Sequence, residues 1–108
     1  MNDKEIIQPL IEKLYKDFSI DKENLPVKKD YSEELKIIKE FLSKRITELM
    51  IKNQERFLNT LYRIDVNESK VAQILNTSKN VSDDLADLII ERQLRRLETQ
   101  MLYKAGKL

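Results

Sequence analysis

The chain has 108 residues, 41% apolar and 36% charged. That is the size of one domain, able to bury roughly 65% of its unfolded surface around a single core. Twenty basic against 19 acidic side chains leave a formal charge of +1, which excludes a global field of the kind that draws a protein to nucleic acid or an anionic membrane. The absence of Cys excludes disulfides and thiolate chemistry, and the absence of His removes the commonest general base and metal ligand.

One Gly and two Pro in the whole chain make turn chemistry scarce, and Leu, Ile, Lys and Glu favour long helices. The expected fold is all-α: one domain of about four helices, two long ones packed antiparallel in a small bundle and a short one in their connection. The opening MNDKEIIQPLIEKLYKDF has no apolar leader, and no later run approaches the roughly 18 apolar residues of a membrane span. A cytoplasmic location with no membrane partner is the expectation.

In residues 1–18, Ile7, Leu10, Ile11, Leu14 and Phe18 share one helical face. Asn2 and Glu5 have the spacing of a capping box, but Pro9 would then sit inside the helix at a cost of about 3 kcal/mol. The expected start is therefore Pro9, after a frayed or kinked segment. Residues 19–30 lose the period and read as a linker with Leu25 and Val27 as anchors. Asp30 and Glu33 then form a second capping box, opening a long helix over 31–63 whose stripe runs through Leu35, Ile38, Leu42, Ile46 and Leu49 to Phe57, Leu61 and Ile64. The opposite face, Lys36, Glu40, Lys44, Glu48 and Lys52, alternates in sign and reads as solvated surface. Asn53 interrupts the stripe, so that either the helix breaks there or the amide meets a polar partner.

A short helix over 67–76 has Asn67 as its cap, with Val66 and Val71 placed to staple across it. Ser82 is the expected cap of a last helix, 82–105, closed by Gly106. That helix has two apolar stripes: Leu85, Leu88 and Ile89 on one face, and Ile90, Leu94, Leu97 and Met101 on another. A helix apolar on two sides must be covered on both, the second by the first helix or by another copy of the chain.

Segment 71–96, VAQILNTSKNVSDDLADLIIERQLRR, resembles in outline the helix-turn-helix of DNA-reading proteins, with Asn76 where Gly is usual in the turn. The resemblance implies a nucleic-acid-binding regulator using 68–104. It departs from the pattern at Ser82, ten positions after Ala72, where a buried aliphatic residue is usual and Val81 comes one residue early. The second helix also opens with Asp83, Asp84, Asp87 and Glu91, carboxylates that would face a polyanion. Acid in its first half and Arg92, Arg95, Arg96, Lys104 and Lys107 in its second is the arrangement the helix dipole favours without any ligand.

Asp83, Asp87 and Glu91 repeat every four residues, a low-specificity pattern for a hard cation. No phosphate-cradling loop or nucleophile elbow is present. The expectation is a protein without catalytic, cofactor or metal-binding residues. It would be a non-enzymatic helical interaction or structural module whose partner is itself, as a homodimer, or another protein. Its expected contact surface is Ile90, Leu94, Leu97 and Met101, with Arg95 and Arg96 as rim charges.

Overall fold

A computed structural model describes residues 3–19, 31–104 and 106. The Asn2–Glu5 and Asp30–Glu33 boxes and the anchors Leu25 and Val27 lie outside the described residues or rest on residues outside them. Among the described residues the fold is all-helical and compact, with four helices: α1 (Asp3–Phe18), α2 (Tyr31–Arg63), α3 (Glu68–Thr77) and α4 (Val81–Lys104).

α1 begins six residues before Pro9 and runs through it. Ile6 and Ile7 explain why: both are buried, and two such side chains contribute about 3–6 kcal/mol, enough to offset the roughly 3 kcal/mol cost of an internal proline. At its far end Ser19 turns into the left-handed region (φ 59°) and donates its N–H to the Tyr15 carbonyl, while Arg45 Nε of α2 donates to the Phe18 carbonyl at 2.8 Å. The Phe18 ring meets that of Phe57 with centroids 6.1 Å apart.

α2 is two arms joined at Asn53, whose backbone (φ −159°, ψ 80°) is extended. Of the two outcomes the sequence left open, the helix breaks. The Asn53 Oδ1 accepts the Arg56 N–H at 3.0 Å, which makes the amide the N-cap of the second arm. Residues 51–56 are all exposed, so the elbow projects into water and Asn53 needs no buried partner. Lys36, Glu40, Lys44, Glu48 and Lys52 are likewise all exposed.

The second arm ends in a Schellman motif, with Val66 N–H donating to Leu61 O and Asp65 N–H to Tyr62 O. Asp65 holds the left-handed position (φ 64°) where glycine is usual. Val66 and Val71 are both buried astride Asn67, whose Oδ1 caps α3 by accepting from Ser69 and Lys70 N–H groups at 2.9 and 3.1 Å. Gly106 (φ 72°) follows α4 in a left-handed conformation that suits glycine.

α2 and α4 form the largest helix contact, and α1 packs against both. Their antiparallel course shows in the polar ladder along their seam: Lys39 with Asp87, Ser43 with Asp83 and Thr47 with Ser82, one number rising as the other falls. Ser82 is therefore spent on α2. It is not the cap of α4, which starts one residue earlier at Val81.

Candidate functional site

The two stripes of α4 are both used inside the bundle. Leu85 and Ile89 are fully buried; on the other side Ile90 is 8% and Leu97 5% exposed. Ile90 and Leu97 belong to the buried core of the bundle and present no contact surface. Leu94 and Met101 are partly buried against the same core. The adjacent arginines diverge: Arg95 is exposed and pairs with Glu91 at 2.7 Å, while Arg96 lies on another side of α4 beside α1 and the end of α2.

What α4 does leave in water is its outward face and its last turns. Leu88 is half-buried beside Asp84, Asp87 and Glu91, and Leu102 and Tyr103 at the C-terminal end are 36% and 73% exposed. α3 leans on the first half of α4, and between them lies a groove of about 420 Å³ with Ile74 and Leu88 among its apolar lining and Asp84, Asp87 and Glu91 along the α4 wall. A second hollow continues it past Leu88 to Arg92 and Arg95. Arg92 closes that end by donating to the Ile64 carbonyl and pairing with Asp65 at 3.2 Å.

The carboxylates Asp83, Asp87 and Glu91 each have a partner of their own, respectively Ser43, Lys39 and Arg95. Among the described residues no three acidic side chains converge on a point where a metal ion would sit. Lys39, 3.0 Å from Asp87, has its pKa raised above the ordinary lysine value of 10.5, first by the hydrogen bond it donates to that carboxylate. The helix-turn-helix outline is present as α3, a three-residue turn and α4, but the first turns of α4 are laced onto α2 by Ser82, Asp83 and Asp87. In DNA-reading proteins that end of the helix enters the groove.

One polar pair escapes a reading by stripes. Gln93, in the middle of α4, is fully buried and donates its Nε2–H to Asp17 Oδ2 of α1 at 2.6 Å; its Oε1 has no hydrogen-bond partner among the described residues. Asp17, its side chain only 12% exposed, also receives Arg63 at 3.4 Å. The signal for Gln93 was available, since it stands four residues after Ile89 and four before Leu97. Asp17 had none, because its partner comes from the other end of the chain.

Compared with known proteins, the chain matches no family model, no curated protein and no solved structure. Its described helices include none long and apolar enough to cross a membrane.

Proposed function

We propose that this protein is a non-enzymatic interaction module that associates with a second copy of itself through the outward face of α4. The observation that supports it most is the apolar surface this helix leaves in water, Leu102 and Tyr103 at its end with Leu94 and Met101 half-covered behind them. These last two, the exposed Arg95 and the half-buried Arg96 are the members of the expected contact set that still reach the surface.

Charge sets the orientation. Asp83, Asp84, Asp87 and Glu91 occupy the first half of α4, while Arg92, Arg95, Arg96 and Lys104 dominate the second. Two such helices laid antiparallel put the acidic half of each against the basic half of the other, and the two-fold symmetry closes the assembly at two. Glu91 of one copy then stands near Arg95 of the other, both exposed on the outward face, and the apolar last turns reach the groove edged by Leu88.

The test is solution mass with charge reversal. E91R alone and R95E alone each set like charges together and weaken the dimer. Mixed in equal amounts, they restore both opposite-charge contacts and the dimer returns. Recovery on mixing supports antiparallel pairing through α4, and its absence removes that pairing.

A further inference from the structure

We propose that the hollow between α1, the end of α2 and α4 is a binding site for a phosphate dianion, free or as the terminal monoester of a small molecule. It measures about 170 Å³ and is lined by Lys13 and Lys16 of α1, Arg63 of α2 and Arg96 of α4, with Asp17 and Ile64 completing it. The surface is far more basic than the chain as a whole, whose formal charge is only +1.

Helix dipoles account for part of this. Lys16 and Arg63 stand in the last turns of α1 and α2, where a cation interacts favourably with the helix end. Lys13 and Arg96 are not in a last turn, and both are half-buried. Among the described residues neither has a carboxylate within salt-bridge distance. Two partly desolvated cations from different helices, brought to one hollow with no acid of their own, repel each other unless an anion lies between them.

The one carboxylate present is already engaged. Asp17 accepts from Gln93 at 2.6 Å and from Arg63 Nη2 at 3.4 Å. It holds that guanidinium at the rim by one nitrogen, leaving the others for a ligand. With Asp17 set against Arg63, three positive charges remain, enough to neutralise a dianion. Two guanidinium forks supply the planar paired donors that match phosphate oxygens, and two ammonium groups supply mobile point charge. The small volume and the single aliphatic residue in the lining, Ile64, fit a compact anion better than a ligand with a large apolar body.

The experiment is a titration of the full chain with orthophosphate, glycerol phosphate and a short single-stranded oligonucleotide, each at constant ionic strength, followed by amide chemical shifts. Saturable shifts clustered at residues 13–17, 63–64 and 96 with either monoanion-to-dianion phosphate, and none with chloride, are expected. Tighter binding of glycerol phosphate identifies a small ester as the ligand, and equal binding identifies the free ion. K13Q and R96Q should each weaken binding about tenfold. Because Arg96 is half-buried, K13Q carries the test if R96Q unfolds. Non-saturating shifts, shifts reproduced by chloride, unchanged affinity in K13Q, or an oligonucleotide bound more tightly than either phosphate would each overturn the proposal.

Discussion

The two long helices each carry an amide in an apolar stripe, and they deal with it in opposite ways. α2 breaks at Asn53, turns the residue outward and uses it as the cap of its second arm. α4 stays continuous over 24 residues and buries Gln93 completely against Asp17. The difference lies in the neighbours. Around Asn53 the residues from Ile51 to Arg56 face water, so unwinding one residue exposes little that the core needs. Gln93 is flanked by Ile89, Ile90 and Leu97, all buried, so a break there would open the centre of the bundle and a polar partner is the less costly solution.

The largest effect should come from removing that partner. D17L leaves the Gln93 amide buried with nothing to bond and takes a carboxylate from Arg63; a loss of about 2–3 kcal/mol is expected in denaturant unfolding. Q93L removes the amide together with its unpaired Oε1 and leaves Asp17 bonded to Arg63, so it should cost about 1 kcal/mol or less. The double variant D17L/Q93L should then be more stable than D17L alone, a non-additivity that a double-mutant cycle measures directly. Additive losses would mean that the two side chains stabilise the bundle independently.

On the α2 side of the comparison the expected effect is smaller. N53A removes a cap from an exposed corner and should cost about 1 kcal/mol, with helicity by circular dichroism nearly unchanged. A loss as large as that of D17L would place the corner in the core after all.

The smallest effect is the pH dependence of the seam between α2 and α4. Lys39 has a raised pKa in the folded chain, so its protonated form is favoured by folding. Its contribution is full below the ordinary value of 10.5 and is lost as pH rises through the higher folded value. The wild-type chain should therefore lose slightly more stability than K39M as the pH is raised from neutral to above 10.5. Since both partners are more than a third exposed, the difference is a fraction of that for Asn53.

The elements that sequence made legible are those settled locally. Asn67 as a cap with Val66 and Val71 across it, Gly106 beyond α4 and the solvated face of α2 each depend on residues within a turn or two, and each stands in the structure. α1 starts at Asp3 and not at Pro9 because the burial of Ile6 and Ile7, distant in its effect from any local signal, outweighs the local proline penalty of about 3 kcal/mol. Asp65 at a left-handed helix end left no mark because the residue type expected there is glycine.

Tertiary choices were hidden for a different reason. Periodicity shows that α4 needs cover on two sides, but not whether the bundle or another molecule supplies it, and the bundle itself buries Ile90 and Leu97. The cation-lined hollow draws on residues from 13 to 96, which no window of sequence brings together.

The central claim, self-association through α4, is tested most directly by absolute mass from light scattering behind size exclusion, with wild type beside L102E/Y103E. Both substituted positions are exposed, so the fold should survive the change. Wild type should run at twice the chain mass of 12.9 kDa, and the variant should run at the single-chain mass with its helicity intact. A wild-type monomer at high protein concentration, or a dimer indifferent to both substitutions, would contradict the account.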